Sequence, residues 1–388
     1  MRQNIIIMKL YHLFLGMWIF SALAVVYFQE VCQSYTLAIL AYSMISIVSS
    51  IAEIPLGILS DRKSRKFNLI MSAIFILLNM IFWALAGIYQ NLWMLFAGSF
   101  FRGIGIAFHS GTNAAIIYEI MAELRKRKLF AQIYSQIISY HQIGLLISAI
   151  TGMIVTYYLP LIYLVILSVL PAFLNMFIVL KIKNPKSYFD ENLSPLDQLK
   201  KSINLLKKRK KLRNYVSMSV LDSAILLTLY RIEVLYFAKL IPLYLINVVR
   251  IITHTAGYFS FLIVAISKQI NFLQLLFYSR LGMALIRIIG LIINNALTPF
   301  VTSLTNFGYG VGVTAQKTLQ QKEYNKSLRA TMDSVCELLR GFSIALMGYI
   351  FGIIADYSTP QTALWVAVFC QIIIAVLYKN LFNTYKKI

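Results

Sequence analysis

Residues 57–66 read GILSDRKSRK, and they follow TLAILAYSMISIVSSIAEIPL (36–56), a run that is almost wholly apolar. A helix needs about 20 apolar residues to cross the hydrocarbon core of a bilayer, and the run preceding this cluster is that long. Four cations and one carboxylate then crowd into positions 61–66. Lys and Arg beside such a run hold the following loop on the cytoplasmic side. Asp61 adds nothing to that anchoring, so it asks for a partner of its own.

Outward from this stretch the pattern repeats. The chain has 388 residues, 59% hydrophobic and 13% charged, with a mean hydropathy of +0.73. Soluble domains carry about 25% charged residues. Twelve apolar runs lie near 8–28, 36–59, 67–88, 92–119, 131–156, 158–180, 214–237, 241–265, 271–292, 296–317, 330–354 and 360–382. Arg280 and Arg287 interrupt the ninth. No extended alternation of the kind a barrel requires is present. The expected fold is all-α and integral to the membrane, with twelve transmembrane helices.

The net charge of +22 raises the question of nucleic acid. Its distribution answers that question, because the bases sit in short breaks between apolar runs and no soluble basic domain exists to carry them. The breaks at 62–66, 125–128, 200–213 and 317–326 and the tail gather the cations on one side, while Lys239 alone occupies the other. That asymmetry puts both termini in the cytoplasm of a multi-pass protein of the cell (inner/plasma) membrane. The first run has no small-residue cleavage site behind it and reads as a retained span. Cys32, Cys336 and Cys370 are spaced for neither a disulfide framework nor a metal site.

The longest polar stretch divides the chain into a six-helix bundle (1–180), a cytoplasmic linker (181–213) and a second six-helix bundle (214–388). An even split of this kind is the layout of a duplicated transporter. In the linker, Leu196, Leu199, Ile203 and Leu206 recur at helical spacing behind Ser194, Pro195 and Asp197, and KKRKK follows at 207–211. Two readings stand: an amphipathic helix on an anionic inner leaflet, or a connector whose cations only enforce topology.

The segment 57–66 resembles the signature loop of the major facilitator superfamily, G-x-x-x-D-[RK]-x-G-R-[RK]. Gly57, Asp61, Arg62, Arg65 and Lys66 match, and Ser64 replaces the second glycine. LFAGSFFRGIGIAFHSGTNAAIIYE (95–119) is similar to the family's fourth span, and SLRATMDSVCELLRG (327–341) to the start of its eleventh. The resemblance implies two six-helix bundles around a central cavity that opens alternately to either face. It also implies that Gly57 packs on span eleven, that Asp61 faces the start of that span near 327–330, and that Arg65 pairs with Glu119. The other reading of Asp61 is that it caps its own turn. The equivalent loop of the second half, AISKQINF (265–272), lacks the motif.

An ionisable side chain at bilayer depth costs at least about 2.5 kcal/mol on insertion scales, so each one needs a reason. Arg102, His109 and Asn113 share one face of the fourth span, and Gln132, Gln136, Ser139 and Gln142 another polar face of the fifth. Asp222 and Glu233 align on the seventh span with Arg231 opposite Asp222. Asn247, Arg250 and His254 align on the eighth, Thr302, Asn306 and Tyr309 on the tenth, and Asp333, Glu337 and Arg340 on the eleventh. The expected solute contacts are Arg102, His109, Gln136, Arg250 and Asn306. The expected proton-coupling groups are Asp222 and Glu53. Glu53 reads equally as a structural partner of the inner gate, His109 and His141 as packed imidazoles, and Asp333 and Glu337 as acids meeting a helix dipole.

Together these features describe a secondary active transporter moving a small molecule by alternating access, coupled to an ion, most simply the proton. No phosphate-binding G-x-x-x-x-G-K-[ST] occurs. No cofactor or metal is expected. The four histidines lie at different depths, which disfavours a membrane enzyme, and a receptor on a transporter scaffold remains the alternative of another class. The span-two and span-four patterns lean to export of an amphiphilic or cationic compound, with uptake of a nutrient or metabolite as the alternative. The intramembrane arginines would equally suit an anion.

Overall fold

The computed structural model describes residues 2–62, 64–126, 130–184, 195–266, 271–323 and 329–386. Helices form over every apolar run: α1 (Arg2–Gly16), α2 (Ala24–Cys32), α3 (Tyr35–Arg62), α4 (Arg65–Tyr89), α5 (Leu92–Glu123), α6 (Phe130–Tyr158) and α7 (Ile162–Leu180). After α8 (Pro195–Lys208) come α9 (Lys210–Leu240), α10 (Leu243–Ile266), α11 (Phe272–Ile293), α12 (Thr298–Ser303), α13 (Tyr309–Glu323), α14 (Arg329–Tyr357) and α15 (Pro360–Lys386). Among the described residues, eight helices are long and apolar enough to cross a membrane. The other four apolar runs correspond to α1–α2, α9, α10 and α12–α13.

Two of the runs are interrupted, which hydropathy does not foretell. The first breaks after Gly16, and the chain re-enters a helix only at Ala24. The exposed backbone groups find partners from neighbouring helices: Ser148 donates to Gly16 O (3.2 Å), and Ile19 N donates to Ser168 Oγ (3.1 Å). A Cβ at Gly144 on α6 would overlap Leu13 O and Gly16, so glycine there lets α1 approach α6 at backbone distance. The tenth run breaks at a 3-10 turn, Leu304–Gly308, between α12 and α13. Ser260 donates to Phe307 O (2.6 Å) and accepts from Val311 N (3.0 Å), while Ser279 donates to Gly308 O (2.8 Å). Irregular backbone at membrane depth survives only where such neighbours satisfy it.

The chain divides into two compact units, Met1–Gln33 with Ala41–Pro195, and Ser34–Leu40 with Leu196–Ile388. Within the first, Met8, Tyr11, Leu69, Ile116, Ile120 and Val179 lie at the centre of a core. Asn4 closes it at one end, donating to Lys183 O (2.7 Å) and accepting from Lys183 N (3.1 Å). The outer face of α7 presents Leu170, Phe173, Leu174 and Phe177, and such an all-apolar exposed face suits lipid. Within the second unit, Leu212, Val216, Val220, Met332 and Cys336 form a core against which Leu205 and Leu206 of α8 pack. Part of the apolar side of α8 therefore lies on protein; the side chains at 195–199 lie outside the described residues.

Candidate functional site

In the first unit the polar centre is built by α1, the break that follows it, and α5. Arg102 on α5 is buried, its guanidinium carbon 4.6 Å from the ring centroid of Trp18 in the break of the first run. One face further along α5, His109 Nδ1 lies 2.9 Å from the Tyr11 hydroxyl. Asn113 Oδ1 lies 2.8 Å from His12 Nε2. The His12 and His109 rings meet edge to face at 5.6 Å. Seven- and four-residue spacings on α5 place all three side chains along one strip of that helix. Gln136 on α6 is exposed, so it joins no part of this buried cluster.

In the second unit, the carboxylates expected on the seventh run are both buried and both paired. Arg280 Nε donates to the two oxygens of Asp222 at 2.9 and 2.8 Å. Tyr378 donates to Asp222 Oδ2 at 3.1 Å, and Gln316 Nε2 donates to the same oxygen. Glu233 accepts from Arg287 Nε at 2.6 Å, and Gln371 Oε1 accepts from Arg287 Nη1 at 3.0 Å. The residues that interrupt the ninth apolar run are thus the internal counter-ions of the seventh. Spacings of eleven on α9 and seven on α11 and α15 are close to whole turns, which lets the three helices meet as polar faces.

Arg250 is placed differently. It is 5% exposed, its guanidinium carbon lies 3.7 Å from the Tyr230 ring centroid, and its Nε–H has no hydrogen-bond partner. Asn247, one turn earlier on α10 and 1% exposed, has an unpartnered Nδ2. Asn306 donates to Thr253 O (3.1 Å), tying the 3-10 turn to α10.

At the motif, Arg65 Nε stands 3.2 Å from Glu119 Oε1. Ser64, where the family pattern has glycine, caps α4 by accepting from Phe67 N (3.2 Å). The hydroxyl thus supplies a partner for a first-turn amide that glycine could not. Lys66 follows Arg65 in the first turn of α4. The side chains of Gly57, Asp61 and Arg62 lie outside the described residues. Glu53 accepts from the Ser110 hydroxyl at 3.1 Å. Among the described residues no cluster of three or more His, Cys, Asp or Glu could hold a metal ion.

Several residues of these clusters escape a reading of charge and hydropathy: Tyr11, His12, Trp18, Gln316 and Tyr378. An isolated Tyr or Trp barely marks an apolar run, and only the spacing of Gln371 and Tyr378, matched to that of Arg280 and Arg287, marks a shared face.

No curated protein matches the chain. Among solved structures, a single-site variant of the nucleoside transporter NupG aligns with a TM-score of 0.84 at 13% identity, covering 98% of this chain and 100% of that one. The D-xylose-proton symporter aligns at 0.71 and 13% identity, covering 96% of each chain. The E. coli fucose:proton symporter FucP aligns at 0.60 and 14%, covering 97% of this chain and 98% of that one. At such identities the likeness speaks to the fold. The family model described as Major Facilitator Superfamily matches residues 12–378, and the chain belongs to that superfamily.

Proposed function

We propose that this multi-pass membrane transporter is a proton-coupled secondary active carrier that moves a small molecule by alternating access across the plasma membrane, with both termini in the cytoplasm. The observation that carries the proposal is the set of ionisable side chains buried inside apolar helices. Such groups are costly inside membrane helices, and they mark solute and proton pathways there. Arg102, His109, Gln136, Arg250 and Asn306 contact the solute in this reading. Asp222 exchanges the proton, with Glu53 as the second coupling group, and Gly57, Asp61, Arg62, Arg65, Lys66 and Glu119 form the inner gate. The lysines of α8 and the 207–211 run rest on an anionic leaflet.

Support for the coupling role of Asp222 is its position. One carboxylate receives donors from α11, α13 and α15, so neutralising it would loosen the hold of α9 on three helices at once. Purified protein in proteoliposomes with an imposed pH gradient tests this. Gradient-driven accumulation should be lost in Asp222→Asn relative to solute exchange measured on the same vesicles. An unchanged ratio of driven accumulation to exchange would refute the coupling role, and no flux of any solute would point to a receptor.

The lean of this reading is to export, on the resemblance of the span-two and span-four patterns to efflux-like members of the superfamily. Uptake is the second reading, favoured because two of the similar solved proteins are proton symporters. The direction of the pH gradient that drives accumulation inside the vesicles separates the two.

A further inference from the structure

Among the described residues, Arg102 in the first unit and Arg250 in the second are buried and form no ion pair with a carboxylate. Among the described residues Asp222 is taken by Arg280, Glu233 by Arg287, Glu337 by Arg340 and Glu119 by Arg65. Arg102 rests over Trp18 and Arg250 over Tyr230. An aromatic face attracts a cation by its quadrupole, yet it leaves the N–H donors of a guanidinium unused. At Arg250 this is explicit: Nε–H is buried and unpartnered, and so is the amide nitrogen of Asn247 one turn away on the same face. A buried donor without an acceptor is rare in a folded protein and calls for a missing partner. Here two such donors and a full positive charge converge from one helix face.

Resting on the transporter reading above, we propose that the solute carries an anionic oxygen group, a carboxylate or a phosphate, and that Arg250 with Asn247 binds it. Guanidinium Nε–H and Nη–H form a fork that matches two oxygens of such a group, and charge-assisted bonds of this kind are the strong ones. Asn247 Nδ2 adds a third donor. The Tyr230 ring holds the guanidinium plane in place from the other side, so the donors are oriented before the solute arrives. A cationic solute finds no vacant carboxylate in this part of the second unit, because both acids of α9 are already bound by arginines of α11. It would have to displace one of them.

The test uses the full chain in nanodiscs of pure phosphatidylcholine, with matched solutes: lactate against lactamide, glycerol 3-phosphate against glycerol, and choline. The expected result is a rise in melting temperature of about 3 °C or more with one of the two anions, as for any ligand that binds the folded state alone. The neutral twin and choline should give none. Arg250→Gln should abolish the anion's advantage over its neutral twin, and Arg250→Lys should retain part of it. Which anion acts assigns the group as carboxylate or phosphate. If the Gln variant does not fold, the wild-type comparison of charged and neutral twins still decides. Equal shifts within both pairs, or an anion effect undiminished in Arg250→Gln, would overturn the proposal. So would stabilisation by added phosphatidylglycerol with no response to either soluble anion. Exchange of lactamide, glycerol or choline in proteoliposomes without exchange of either anion would leave transport standing and remove the anion inference alone.

Discussion

Arg280 and Asp222 meet across 58 residues of sequence with both side chains 1% exposed, a single Nε–H shared between two carboxylate oxygens at 2.9 and 2.8 Å. Two ions so far from water are a poor source of net stability, because desolvation offsets most of their attraction. Their separation is another matter. Asp222→Ala leaves a guanidinium buried and uncompensated and should destabilise the second unit by about 3–5 kcal/mol. Asp222→Leu with Arg280→Met should cost less than either single change. Melting of the four proteins in detergent measures the coupling as a double-mutant cycle. Additive losses would show that the two side chains do not act as a pair.

Gly312 on α13 lies against the same guanidinium. A Cβ there would overlap Nη1, Nη2 and Cζ of Arg280. Gly312→Ala should therefore push the arginine off Asp222 and destabilise by about 1–3 kcal/mol, as overpacking does. In the Asp222→Leu, Arg280→Met background the same substitution should be nearly silent, which thermal melting would reveal.

In the 3-10 turn of the tenth run one hydroxyl serves two backbone groups. Ser260 Oγ both donates to Phe307 O and accepts from Val311 N. Ser260→Ala removes both partners at once and should destabilise by about 1–3 kcal/mol, the penalty for leaving buried backbone groups unsatisfied. Ser260→Thr keeps the hydroxyl and should recover most of it. Hydrogen exchange at Val311 should accelerate in the Ala variant and not in the Thr variant.

That turn shows where reading the chain alone stops. The apolar runs were legible because hydrophobic length is a property of neighbours in sequence, and each of the twelve has its helices. The breaks at 17–23 and 304–308 were not, since a serine or glycine in such a run barely changes its hydropathy. What permits the break is a hydroxyl on another helix. Arg280 and Arg287 looked like interruptions for the same reason: their acids lie 58 and 54 residues away. Arg102, His109 and Arg250 were legible as candidates because charge at bilayer depth is conspicuous. Tyr11 and Trp18 were not, being ordinary residues whose role comes only from what they face.

Arg65 and Glu119 give a milder pair than Arg280 and Asp222, with side chains 14% and 8% exposed. Water screens part of the interaction, so Glu119→Gln should cost about 1 kcal/mol. The gate reading adds a functional expectation: transport falls more than stability does. Reversing both charges, Arg65→Glu with Glu119→Arg, should restore transport above that of either single reversal. Equal loss in the double and single variants would mean that the pair does not matter to transport.

Asp356, near the end of α14, accepts from Tyr35 N (2.7 Å), Thr36 N (3.0 Å) and the Ser34 hydroxyl (2.8 Å), all within the second unit. It thereby serves the first amides of α3, which have no intrahelical acceptor, and sets a negative charge against the positive end of that helix. A cap residue normally comes from the chain just before the helix; here the carboxylate arrives from 321 residues away. Asp356→Ala should therefore free the first turn of α3 at a cost of about 0.5–2 kcal/mol, the range for losing a cap. Asp356→Asn, which keeps an acceptor oxygen but no charge, should fall between Ala and wild type. A single cysteine at position 35 in a cysteine-free background should label faster with an aqueous maleimide in Asp356→Ala than in the parent. Unchanged labelling would show that the carboxylate does not hold the helix start.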